Sequence, residues 1–143
     1  MSLFDSMNIN SSGLSLERLK LDTISSNVAN INTTRSEDGG PYLKKTVTFE
    51  ESLKQHESFF TGEKSAKSFG VKVTGIEAEE DNVKYVFEPD HPDADEDGFV
   101  AYPNINMADE MVDMMKTLRT YDANVTALNA SKERMKKALE ISR

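Results

Sequence analysis

From Leu14 onward the apolar residues keep a seven-residue beat: Leu14, Leu21 and Val28 share one register, and Ile24 and Ile31 lie three positions after the last two. Leu16 and Leu19 widen the stripe, and Glu17 interrupts the second register. This spacing puts apolar side chains on one face and predicts an amphipathic helix over residues 14–31. Its second half runs into ISSNVANINTTRSEDGGPY (24–42), which is crowded with Ser, Asn and Thr. Those side chains compete with the backbone for its own hydrogen bonds, so the helix is weak in isolation and needs support from outside.

SEDGGP (36–41) collects turn formers and stops the helix. Tyr42 to Phe49 alternates, carries β-branched and aromatic residues, and predicts a strand. From Glu50 to Ser68 no period emerges, and Phe59 and Phe60 are the one bulky apolar pair. Val71 and Val73, then Val83, Tyr85 and Phe87, mark alternating faces on either side of EEDN (79–82) and predict a hairpin.

The last third carries the clearest pattern. Asn106 stands as an N-cap with Asp109 and Glu110 in the first turn, at the positive end of the helix dipole. Met111, Leu118, Val125 and Leu139 then fall on one heptad register, and Met107, Met114, Tyr121, Leu128 and Met135 on the other. Lys132 alone breaks the first register, and Lys132, Arg134, Lys136 and Lys137 gather at the negative end of the dipole. A helix over 107–141 is about 50 Å long. A compact chain of 143 residues is under about 40 Å across. The helix is therefore expected to overhang its own domain and to keep apolar surface for other chains.

Together these elements predict an α+β chain: an amino-terminal and a long carboxyl-terminal helix in a coiled-coil-like pair, with a small antiparallel β-rich middle. The corresponding segments are 1–35, 36–103 and 104–143.

Composition narrows the function. Leu, Ile, Val and Phe supply 32 of 143 residues, just above the roughly 20% below which chains stay unfolded. The net charge of −8 argues against nucleic acid and anionic lipid as partners. With no cysteine, thiolate chemistry and disulfides are excluded. MSLFDSMNINSSGL lacks the features of a secretory signal, and no run is long enough to span a bilayer, so any export is expected without a cleaved signal.

Candidate chemistry is sparse. Asp93, Asp95, Asp97 and Gly98 fit the first half of an EF-hand loop, in which alternate carboxylates converge on calcium. The second half fails: Asn104 stands where a bidentate Glu belongs, Pro103 precedes it, and Pro92 with strand-like residues upstream replaces the entering helix. A solvated acidic turn is the better reading, with a soluble calcium-binding regulatory module as the alternative. Residues 75–98 hold ten acidic residues against Lys84, a solvated face or a docking surface for a basic neighbour. His56 and His91 have no nucleophile motif near them, and no phosphate or dinucleotide loop occurs. No catalytic, cofactor-binding or metal residue is assigned.

NVANINTTRSEDGGPY (27–42) resembles the amino-terminal signature of the bacterial flagellar axial proteins. HPDADEDGFVAYPNINMADEMVDMMKTLRTYDANVTALNASKERMKKALEI (91–141) is similar to the carboxyl-terminal half of the proximal rod proteins of the flagellar basal body. The resemblance implies a non-enzymatic rod subunit that needs no cofactor and is exported unfolded through the flagellar type III apparatus. It implies terminal helices that are loose in the monomer and order on assembly into a drive shaft in the periplasmic space. Implied partners are copies of the same chain, other rod subunits and the proteins at the junction of rod and inner-membrane ring, without membrane insertion. Asn27, Ala29, Asn30 and Thr33 fall in the shared axial motif. Thr34 and Arg35 replace the Thr-Pro-Gly turn of many axial proteins, a variant typical of the proximal type; another rod or hook subunit is the runner-up. On this reading the apolar residues of the two heptad-patterned helices carry the assembly contacts.

Overall fold

A computed structural model describes residues 3–36, 39–57, 64–80 and 82–141. The elements follow in the order α1 (Leu3–Ala29), β1 (Lys45–Glu57), β2 (Lys64–Ala78), β3 (Val83–Phe87), β4 (Phe99–Pro103) and α2 (Met107–Ile141). The chain is α+β, with a helix at each end and two small antiparallel sheets between them.

α1 starts at Leu3, well before the expected Leu14, through a stretch rich in Ser and Asn. The serines there turn their hydroxyls onto the preceding turn, a habit that adds no helix stability: Ser12 Oγ donates to the Ile9 carbonyl (2.7 Å) and Ser15 Oγ to that of Ser11 (3.1 Å). Ser12 Oγ also accepts the Val71 amide of β2 (3.1 Å), so tertiary packing holds what propensity alone would not. At the other end α1 stops at Ala29, and Ile31 lies beyond it in a turn. α2 starts where expected, with Asn106 Oδ1 accepting the Ala108 amide (2.9 Å) as an N-cap.

The strands pair differently from the sequence pattern. β2 and β3 were expected to form one hairpin, but β1 pairs with β2, and β3 with β4, in two separate sheets. The Glu79 amide donates to the Lys44 carbonyl (2.9 Å) and Thr48 Oγ1 to that of Gly75 (3.2 Å), pairings that run in opposite senses along the chain as in an antiparallel pair. β3 and β4 align Val83 with Pro103 through Phe87 with Phe99. The turn expected at 79–82 connects the sheets instead of closing a hairpin; of its residues, Asp81 lies outside those described. β1 runs on to Glu57 through polar sequence that showed no period, because ladder bonds to β2 fix it where its own pattern is mute. Phe59 and Phe60 lie outside the described residues.

The chain divides into two compact units, each drawing on both helices and on strand segments. One comprises Met1–Leu19, Thr48–Gly75 and Thr117–Arg143; the other comprises Lys20–Val47 and Ile76–Lys116. In the first, Leu16 is buried together with Glu17 and Thr117. There α1 approaches β2 so closely at Gly70 that a Cβ would meet Ser12 Oγ and come within 3.2 Å of the Ile9 Cα. Gly70 also has φ +102°, which L side chains rarely adopt. Gly70→Ala is therefore expected to cost about 1–3 kcal/mol in urea unfolding; an unchanged midpoint would contradict this packing.

In the second unit Val100, Val47 and Tyr42 are buried, and so are the polar Thr23, Asn27 and Glu110. Burial along α2 divides the two heptad registers except at Met107, which is exposed, and Val125, which is half-buried. Met114, Tyr121, Leu128 and Met135 are half-buried, whereas Met111, Leu118 and Leu139 are exposed, with Met107, Val112 and Met115 beside them. The most buried beat on α2 is a polar one, Glu110 and Thr117, followed by half-buried Asn124 and Ser131.

Candidate assembly site

The end of α1 answers for the crowd of Ser, Asn and Thr. Asn27 is 1% exposed and uses its full hydrogen-bonding capacity. Its Nδ2 donates to the Lys45 carbonyl (2.9 Å) and to Glu110 Oε2 (3.2 Å). Its Oδ1 accepts from the Lys45 amide (2.9 Å) and from the Tyr42 hydroxyl (3.0 Å). One side-chain amide thus pairs with both backbone groups of Lys45, as a strand neighbour would, and seats the start of β1 on α1.

The neighbours finish the construction. With the Tyr42 hydroxyl donating to Asn27, its contact with Ser26 Oγ (3.1 Å) has Ser26 as donor. Asn30 Nδ2 donates to the Ser26 carbonyl (2.9 Å), which also accepts the Asn30 amide (3.1 Å), so one residue closes the helix end through both its backbone and its side chain. Thr33 Oγ1 donates to Asn30 Oδ1 (3.1 Å), and the Thr33 carbonyl accepts the Tyr42 amide (3.0 Å). Three of the four axial-motif residues, Asn27, Asn30 and Thr33, therefore bond within the chain, while Ala29 is exposed at the helix end. Asn27, fully paired within the chain, has no amide group left to bond across a subunit contact.

Glu110 is the counterpart on α2. Only 2% exposed, it pairs with Lys44 through Oε1 (3.0 Å) and with Asn27 through Oε2. Both carboxylate oxygens are engaged, as a buried charge requires. The hydrogen bond to Glu110 raises the Lys44 ammonium above its ordinary value, with the Glu110, Glu79 and Asp113 charges adding to it and burial opposing it. A raised lysine contributes stability that is whole below the ordinary value of 10.5 and is lost as pH climbs through the raised one. Unfolding is thus expected to become easier in strongly alkaline solution, and the Lys44→Met variant to lack that part of the pH dependence. Equal alkaline slopes for the two chains would contradict it.

Neither Lys44 nor Tyr42 stood out in sequence, and Glu110 read only as a dipole complement. The available signal was the polar beat of Glu110, Thr117, Asn124 and Ser131 running between the apolar registers.

The acidic loop between β3 and β4 does not gather its carboxylates. Asp93 Oδ2 accepts from Thr34 Oγ1 (2.9 Å), and its Oδ1 lies 3.8 Å from the Arg35 guanidinium. Asp95 Oδ1 accepts the amides of Asp97 (3.1 Å) and Phe99 (2.7 Å), and Gly98, at φ +82°, completes the turn. Among the described residues no three His, Asp or Glu side chains are placed to hold a metal ion. The EF-hand-like spacing is thus the spacing of a self-capped turn, and a calcium module is not favoured.

One outward row of α2 is apolar. Met107, Met111, Met115 and Leu118, three or four residues apart on α2, form an exposed stripe. Of the other residues expected at assembly contacts, Leu14, Leu21, Ile24, Val28 and Ile31 are half-buried, as is Val125.

The terminal segments are the ones that match known families. Residues 7–35, spanning most of α1 and the axial motif, match the flagella basal body rod protein family. Residues 96–141, spanning β4 and α2, match the family described as flagellar basal body rod FlgEFG protein C-terminal. A flagellar basal-body rod protein FlgC of Borreliella burgdorferi is 38% identical, covering 99% of this chain and 98% of its own. The FlgC of Bacillus subtilis is 37% identical over the whole of both chains. That of Salmonella typhimurium is 34% identical over 99% and 98%. With such similarity along its full length, the chain belongs to the FlgC family of flagellar basal-body rod proteins.

Proposed function

We propose that the chain is a structural subunit of the proximal rod and polymerises through its terminal helices into part of the axial shaft that transmits torque. The segments 1–35 and 104–143 supply the axial contacts, and 36–103 forms the middle. The neighbours are copies of this chain, other rod subunits and the proteins where the rod meets the inner-membrane ring. The chain reaches the periplasmic space through the flagellar type III apparatus without loss of a signal peptide.

The observation that carries this reading is the exposed Met107–Leu118 stripe. A contiguous row of large apolar side chains facing water marks a surface made for another protein. Methionine suits such a surface because its flexible, polarisable side chain adapts to more than one neighbour.

Leu118 is 45% exposed, so a charge there leaves the folded chain intact while spoiling the contact. Leu118→Asp is expected to melt like the unsubstituted protein, to be missing from isolated basal bodies and to abolish swimming. Normal swimming in soft agar would overturn the proposal.

A further inference from the structure

We infer that the exposed aromatic face of the β3–β4 hairpin receives the basic carboxyl-terminal turns of α2 from a second copy of this chain. Strand alternation and the β3–β4 register place Tyr85, Phe87 and Phe99 on one face and Val100, fully buried, on the other. The two faces of such a hairpin usually divide into buried apolar and solvated polar. Here the outward face carries Tyr85 at 68% and Phe87 at 61% exposure, and Phe87 meets Phe99 edge to face at 5.4 Å. Next to Tyr85 opens a cavity of about 430 Å³, walled by Tyr42, Leu43, Ala78 and Val83, with one charge of each sign, Glu80 and Lys45, at its lining.

The rim sets the charge of the occupant. Asp95, Glu96 and Asp97 are exposed just before Phe99, and Lys84 is the one lysine or arginine among residues 75–98. A partner must therefore bring apolar side chains and positive charge together. Residues 132–141 of this chain do so: Lys132, Arg134, Lys136 and Lys137 are exposed, and Leu139, at 67%, and Ile141 are exposed beside them. Aromatic faces attract ammonium and guanidinium groups while accepting their methylene stems. The acidic rim supplies steering and register.

Because the two patches differ, the contact is heterologous, and each copy that offers its hairpin face to one neighbour still has its own basic turns free for the next. The inference rests on the rod-subunit reading only in requiring copies of the chain to stand side by side.

The chain has no cysteine, which makes cross-linking clean. Cells lacking the native copy would express a Phe87→Cys chain together with a Leu139→Cys chain, and their basal bodies would be treated with a short bismaleimide. A cross-linked dimer is expected with both chains present and only monomer with either alone. Basal bodies that contain both chains yet yield only monomers, or Phe87→Cys linked to a different protein, would overturn the inference while leaving the rod reading intact. Absence of even the unsubstituted chain from basal bodies would sink the rod reading itself. Should the cysteine chains fail to assemble, charge reversal decides. Lys136→Glu with Lys137→Glu is expected to cut the swimming rate at least several-fold, and adding Glu80→Lys with Asp97→Lys to restore most of it; no recovery would overturn the contact.

Discussion

Asn27→Ala is expected to destabilise the chain by about 3–5 kcal/mol, although the side chain removed is small and polar. The substitution strips a partner from four groups at once: the Lys45 amide, the Lys45 carbonyl, the Tyr42 hydroxyl and the Glu110 carboxylate. A buried polar group left unpaired costs about 1–3 kcal/mol, and water entering the gap recovers part of that. Against a domain stability of about 5–15 kcal/mol, the loss is a large share of the whole. Urea denaturation followed by circular dichroism measures it directly. A loss below about 1 kcal/mol would mean the amide is decoration rather than the pin of the α1–β1 junction.

The second large effect is at the ion pair. Lys44→Met leaves the Glu110 carboxylate buried with Asn27 as its remaining named partner, and is expected to cost about 3–5 kcal/mol. Removing the charge as well should cancel most of this. In the double variant Lys44→Met with Glu110→Gln, no buried charge remains, and the Gln carbonyl can still accept from Asn27 Nδ2. The double-mutant cycle separates the two contributions. If the double variant proved as unstable as Lys44→Met alone, Glu110 would not be the buried charge on which the site turns.

These sites also mark where the sequence was readable. α2 was legible from end to end because Asn106 caps it and a 3.5-residue period, broken only at Lys132, runs through it. The first half of α1 was not, since Ser11, Ser12, Gly13 and Ser15 lower intrinsic helix propensity and the packing of Ser12 on Val71 is a long-range fact. Strands were visible at Tyr42–Phe49, Val71–Val73 and Val83–Phe87, but β4 was not, since FVAYP read as the second half of the acidic loop. Strand partnership was not, because a turn signal such as EEDN does not say whether it closes a hairpin or links two sheets.

The heptads were visible too, but not their division of labour. Both registers looked equally suited to pairing, whereas Met114, Tyr121 and Leu128 turn inward and Met111 and Leu118 outward. The polar beat of Glu110 and Thr117 explains the difference, since a carboxylate satisfied by Lys44 and Asn27 fixes which face of α2 is buried. The physical work of Asn27, two hydrogen bonds donated and two accepted by one side-chain amide, emerged only with the fold.

Oxidative footprinting tests most directly the claim that the outward α2 stripe is an assembly surface. Dilute peroxide converts exposed methionines to sulfoxides, so the purified chain should oxidise quickly at Met107, Met111 and Met115. In isolated basal bodies the same three residues should be protected at least tenfold relative to the free chain. Oxidation at equal rates in both would show the stripe uncovered in the rod and contradict the assembly role given to it.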